Sequence, residues 1–305
     1  MMLSPRFLLL LSVIAMSFTP ILISSLTMPP SVIGMYRLWI VLVLFLPLFI
    51  KDRNHFHAVP FKSILLACLS GLFLAAHFLL GILALRYTTI ASNTILITLE
   101  PLIVFIGSIF LFKDKLNLRS AFSMIIAMMG ALWMALSDFL HTNITAPNLI
   151  LGDVLTVFGT IAISIYMLIG QLLVKRMHFS VYNFYVFAFA GTVLLVTNVI
   201  LGHPFTGYST EQWSYLFLLA IVPTIFGIFL QNWLLKHISA LVLSVSILGI
   251  PVGSNILVYL IYGQVPTLMQ IGACIVTMIG VWMFLKQKGK PMEVLTEPET
   301  GTEKI

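Results

Sequence analysis

The sequence predicts an all-α membrane protein of ten transmembrane helices, built as two inverted five-helix repeats. Composition is the first reason. The chain is 60% hydrophobic and 9% charged over 305 residues, whereas an ordinary soluble domain is about 25% charged. A water-soluble core of this size cannot hide so much apolar surface, but lipid can. The second reason is an internal repeat, and the third is the distribution of lysine and arginine.

The repeat shows in the stretch from Leu85 to Met134. There an apolar helix is interrupted at Glu100-Pro101 and followed by a short turn (Lys113, Asp114, Lys115), then by a second apolar helix closing on Gly130. Shifted by 150 residues it lands without a gap on Leu235 to Phe284: Pro101 falls on Pro251, Leu118 on Leu268 and Gly130 on Gly280. Proline and glycine have backbone roles that neighbours cannot copy. Such self-similarity means that the chain is built twice.

A span needs about 20 mainly apolar residues. Arg6 followed by Phe7–Leu26 has the look of a signal peptide. The stretch is long, lacks a small-residue cleavage site and is followed at once by another, so it is read as span 1. Then come Val32–Ile50, Phe61–Leu85, Ile90–Phe112 and Ser120–Ser137, and in the second half Leu155–Val174, Tyr182–Leu201, Trp213–Leu235, Leu241–Tyr262 and Met269–Leu285, spans 2 to 10. The domains follow as residues 6–137, residues 150–286 and a solvated, disordered tail over 287–305, rich in Pro, Glu and Thr.

With the N-terminus inside, fourteen of the 16 basic residues fall on the cytoplasmic side; Arg86 lies outside and Arg37 within a span. A missed span would scramble that split. Both termini are therefore expected in the cytoplasm of a multi-pass cell-membrane protein. Five spans per half is an odd number, so the halves cross in opposite senses, a recurrent transporter design.

The net charge of +6 is not gathered into a basic face, which excludes nucleic acid as a partner. Cys68 and Cys274 lie singly in apolar runs and form no metal or disulfide pattern. No cofactor is expected.

The arrangement resembles the drug/metabolite transporter superfamily, specifically its proteins with two EamA-type domains. The residues that carry the resemblance are Met28-Pro29-Pro30 before Tyr36-Arg37, the Ala84-to-Pro101 segment ending Leu99-Glu100-Pro101, and Gly130 with its apolar flank. In the second half they are Pro251 and the run from Thr267 through Gly280-Val281. It covers roughly residues 6–286 and implies transport of small organic molecules, with the last helix of each half buttressing the others. The family pattern often has Gly-Glu before that helix; this chain has Lys113-Asp114 and Gly263-Gln264. Ile250 replaces Glu100 in the second half, so an acid-dependent step falls to the first half alone.

Glu100 is the one carboxylate deep in a span. Ionised in hydrocarbon it costs several kcal/mol, so it is protonated, paired or in a wet cavity. A proton exchanged there would couple to substrate movement; the structural alternative is a bond to backbone loosened by Pro101. At 1.5 Å per residue Arg37 lies about 8 Å, His77 about 12 Å and Glu100 about 15 Å below the outer edge. They are expected to form a polar cluster facing a central cavity. Snorkelling for Arg37 and helix packing for His77 are the alternatives.

Tyr36, Asn93, Tyr166 and Asn255, with Gln171 and Asn232, are candidates to complete the cavity; satisfied interhelical hydrogen bonds are the default. Pro20, Pro101, Pro223 and Pro251 lie inside spans and bend them, and bends near mid-membrane free carbonyls that can line a site; simple kinking for packing is the alternative, and for Pro20 the preferred one. Gly249 and Gly253 form a GxxxG match that suits close helix approach. Asn54-His55-Phe56-His57 reads as a solvated loop rather than a metal site. Asn143-Ile-Thr145 is a formal glycosylation sequon.

The function these features predict is a secondary-active exporter of small metabolites or drugs, with protons as a candidate coupling ion. No GxxxxGK[ST] loop is present, which argues against direct use of ATP. The alternatives are a membrane-embedded enzyme, for which HExxH and GxSxG are both lacking, and a non-transporting receptor or scaffold. Oligomeric state is left open.

Overall fold

Two prolines, Pro101 and Pro251, begin the second pieces of two broken helices, and those helices match residue for residue. In the computed structural model, which describes residues 4–57, 59–88, 90–113, 117–141 and 148–287, span 4 consists of Ile90–Ile97 and Glu100–Phe112. Span 9 consists of Ala240–Ile247 and Ile250–Tyr262, each bound offset by 150. At the first break Leu99 N bonds Leu96 O at 3.2 Å; at the second Gly249 N bonds Ser246 O at 3.0 Å. Each span ends in a left-handed residue, Lys113 (φ 56°) and Gly263 (φ 67°). Glycine adopts that conformation freely and lysine does not, so the second half holds the relaxed version of a turn the first half strains.

The remaining rods are Pro5–Ser17 with Thr19–Ser24 (span 1), Pro30–Leu44 with Leu46–Lys51 (span 2), Phe61–Ala84 (span 3) and Leu118–His141 (span 5). The second half has Leu149–Leu173 (span 6), Phe179–Leu201 (span 7), a composite of Thr210–Leu219, Ala220–Phe229 and Leu230–Leu234 (span 8), and Leu268–Gln287 (span 10). Eight of the ten are long and apolar enough to cross a membrane; spans 2 and 4 contain the shorter apolar helices Pro30–Leu44 and Glu100–Phe112. Among the described residues there is no strand. The expected sequon, Asp114 and Lys115, and the tail beyond Gln287 lie outside the described residues.

Several boundaries differ from those expected. Span 6 starts at Leu149 rather than Leu155, because the Asn148 side chain accepts from Leu151 N at 3.1 Å and caps the helix. Asp153, in its first turns, is satisfied by hydroxyls of the neighbouring segment: Thr88 and Ser92 donate to Oδ1 at 2.7 and 2.6 Å. Span 2 is broken at Phe45, ahead of Pro47. Pro223 lies in a π-helical run of span 8, Ala220–Phe229, where bonds reach five residues.

The packing obeys a twofold relation. Span 3 packs on span 6 and span 8 on span 1; span 4 packs on span 6 and span 9 on span 1; span 3 meets span 7 and span 8 meets span 2. Spans 2 and 7, 4 and 9, and 5 and 10 pair with their own twins. Spans 5 and 10 run antiparallel, tied at one end by Ser120 and Ser123 to Gln287 (3.2 and 2.8 Å) and at the other by Ser137 to Thr267 (3.4 Å). Between these ends the backbones touch. A methyl on Gly130 would sit 2.4 Å from Thr277 N, and one on Gly280 2.3 Å from Ala127 N. Ala127 and Thr277 are themselves twins, so this is one contact seen from each half. Gly253 closes on Ser17 of span 1, so the GxxxG glycines serve packing within the chain.

Candidate functional site

Span 6 gives the scale against which the polar residues are placed. Asn93 Nδ2 donates to Thr156 Oγ1 at 2.8 Å, and Gly107 lies against Leu168, so spans 4 and 6 run side by side in one direction. Glu100, midway between Asn93 and Gly107, is therefore level with Ala162. His77 Nδ1 donates to Gly159 O at 3.0 Å, about one turn away. Glu100 and His77 thus lie at similar levels along span 6.

Arg37 joins His77 through span 3. Its guanidinium lies over the ring of Phe78, the residue that follows His77, 4.6 Å from the centroid. Arg37 Nε donates to Thr224 Oγ1 of the π-helical run, and Thr224 in turn donates to Leu219 O, five residues back, at 2.8 Å. Arg37 does not snorkel: it is 2% exposed. Residues of both halves therefore fix its position.

Within the expected cluster Arg37 and Glu100 are not paired. Among the described residues no ion pair joins them; the Nε edge of Arg37 is turned to Thr224 of span 8. Glu100 Oε1 and Arg37 Nη2 are both buried without a hydrogen-bond partner. Two uncompensated polar atoms of opposite character inside an apolar core are costly, and such atoms mark places where water, a proton or a ligand acts.

The other candidates are held elsewhere. Tyr36 OH donates to Phe205 O at 2.9 Å and its ring meets Trp213 edge-on at 4.9 Å, near the end of the bundle. Asn255 Nδ2 donates to Pro251 O at 3.1 Å and to Met134 Sδ at 3.2 Å. Gln171 accepts from Ala240 N. Tyr166 OH donates to Asn232 Oδ1 at 2.6 Å, and Asn232 Nδ2 to Asn183 Oδ1 at 2.8 Å, in a buried chain deeper along span 6. Tyr166→Phe leaves the Asn232 oxygen without its donor, and should lower thermal stability in detergent by about 1–3 kcal/mol; an unchanged melting curve would show that the chain re-pairs. Spacing alone did not reveal Thr224, Phe78 and Asp153, since each acts on a residue far away in sequence. His55 is exposed, as expected, and its ring also stacks face to face on His178 with centroids 4.3 Å apart.

Twin five-helix halves with broken helices and a buried polar layer define a multi-pass membrane protein of transporter architecture. The sequence matches the EamA-like transporter family over residues 4–136 and 150–286, most of the chain, and the protein belongs to that family. No curated protein matches it. Of 29 solved chains that match, one, described only as a protein crystal structure, superposes with a TM-score of 0.77 over 93% of this chain and 97% of its own at 17% identity. That likeness shows the fold.

Proposed function

We propose that this transporter is a secondary-active exporter of small organic metabolites or drugs, working by alternating access, with Glu100 exchanging the coupling proton. The observation that carries the reading is the pair of unpartnered buried atoms, Glu100 Oε1 and Arg37 Nη2, beside a helix break repeated in both halves. Halves related by an inverted twofold can exchange conformations, giving outward- and inward-open states of similar energy. Arg37 suits a carboxylate-bearing substrate and Glu100 a proton or a cationic group. The chain sits in the cell membrane with both termini cytoplasmic, as the basic loops favour. Residues 6–137 and 150–286 are the two moving halves.

Proteoliposomes loaded with a panel of metabolites test this. Counterflow of a labelled substrate, and its accumulation under an imposed proton gradient, are expected for at least one carboxylate-bearing compound. Product without flux would support an enzyme, and neither flux nor product a scaffold.

A further inference from the structure

Spans 2 and 7 run antiparallel across the twofold: Gly34 meets Leu194, Trp39 meets Gly191, and Phe49 meets Phe184 edge-on at 5.3 Å. One end of this seam is closed by Ser31 Oγ and His203 Nδ1 at 3.0 Å, a residue just before Arg37 meeting the segment that follows span 7. The other end is its counterpart. Pro29 and His178 precede spans 2 and 7 with matching backbone angles (−56°, 144° and −62°, 140°), which makes Ser180 the twin of Ser31. There His178 Nδ1 lies 2.7 Å from Ser180 Oγ and 3.5 Å from Asp52 Oδ2. The short helix Arg53–His57, which follows span 2, lays His55 flat on His178 with an interplanar angle of 5°. Phe56 anchors that helix against Phe184 and Tyr185. Each half thus places its post-span segment on the first turn of the other half's seam helix, once on each face.

We infer that the Asp52–His55–His178 cluster is a proton-released clasp that closes the seam between the two halves on the face bearing the basic loops. With at most one imidazole charged, the rings stack and Asp52 neutralises the cation. With both charged, two cations are pressed together 4.3 Å apart and one carboxylate cannot compensate both. The groups facing His178 are Asp52 at the end of span 2, His55 on the short helix and Lys236 after span 8. Asp52 favours the imidazolium; His55 and Lys236 oppose it.

Burial, the larger influence, also opposes it, and the balance holds His178 below the usual imidazole value of 6.5. The closed end therefore binds protons less readily than an open one. Acid entering the range below that value shifts the population toward the open form, and neutral pH restores closure. The inference builds on the alternating-access reading, but it is read as a distance rather than a flux, so each can fail without the other.

Spin labels at Ile50→Cys and Lys175→Cys report this end, and labels at Thr27→Cys and Ile200→Cys report the opposite one, in a chain also carrying Cys68→Ala, Cys274→Ala and Glu100→Gln. Removing Glu100 keeps its own protonation out of the signal. Between pH 7.5 and pH 5 the first distance should lengthen by several ångström while the second does not. His55→Asn, which keeps Asp52 and His178 but removes the repulsion, should abolish the lengthening, and Asp52→Asn should move it to higher pH. A distance that ignores pH, or one that lengthens equally in the His55→Asn and His178→Asn variants, would overturn the clasp.

Discussion

In proteoliposomes, Glu100→Gln should abolish accumulation driven by a proton gradient while leaving counterflow of the same substrate intact. Glutamine keeps the shape and hydrogen-bonding capacity of the side chain but cannot release a proton. Glu100 sits 4% exposed at the start of the second piece of span 4, with Oε1 unpartnered. Nothing structural depends on that oxygen, so the substitution should preserve the fold. A transporter coupled to one proton concentrates its substrate up to about tenfold per pH unit, since one unit is about 1.4 kcal/mol; the variant should reach onefold at any gradient. The twin position, Ile250, carries no proton, so the second half supplies no equivalent carboxyl. Accumulation that persists at the wild-type level would remove Glu100 from the coupling step.

Arg37→Met should depress transport about 10- to 100-fold, the equivalent of one charge-assisted hydrogen bond of about 1.5–3 kcal/mol. Methionine keeps an unbranched stem against Phe78 and so separates loss of charge from loss of packing. The stability change should be small relative to the transport loss, because the Arg37 charge is itself poorly compensated in the resting structure. Its hydrogen-bond acceptor Thr224 keeps a partner in Leu219 O. Glu100 and Arg37 form no ion pair among the described residues, so on the proposed function a coupling between them requires a substrate that engages both. Counterflow in the double variant Glu100→Gln with Arg37→Met should therefore be non-additive when the substrate bears both charges. Strict additivity would separate the two groups into independent roles.

Much of the architecture is legible in the sequence because it rests on residues with irreplaceable backbone behaviour. Pro101 and Pro251 place the two breaks, and Gly130 and Gly280 place the close approach of spans 5 and 10, all at one spacing. The buried charges are legible for a related reason: a lone Glu or Arg in an apolar run has to be accounted for. What stayed hidden depends on partners from distant spans. Asp153 lies ahead of the expected start of span 6 at Leu155, and it is hydroxyls of Thr88 and Ser92, more than 60 residues away, that satisfy it in the helix. Pro47 broke span 2 inside an unbroken apolar run, where hydropathy has no contrast to offer. That Arg37 lies within an apolar helix is readable and its bond to Thr224 is not, since the π-helical turn that presents Thr224 leaves no mark in composition. His55 reads as loop because its stacking partner, His178, lies in the other half.

The account's central claim is that the layer around Glu100 opens to each side of the membrane in turn. The direct measurement is labelling of Glu100→Cys, in a chain carrying Cys68→Ala and Cys274→Ala, by a membrane-impermeant thiol reagent applied to oriented vesicles from one face or the other. The account predicts slow modification from both faces, with conditions that speed one slowing the other. Modification from one face only, or equal acceleration from both, would contradict it.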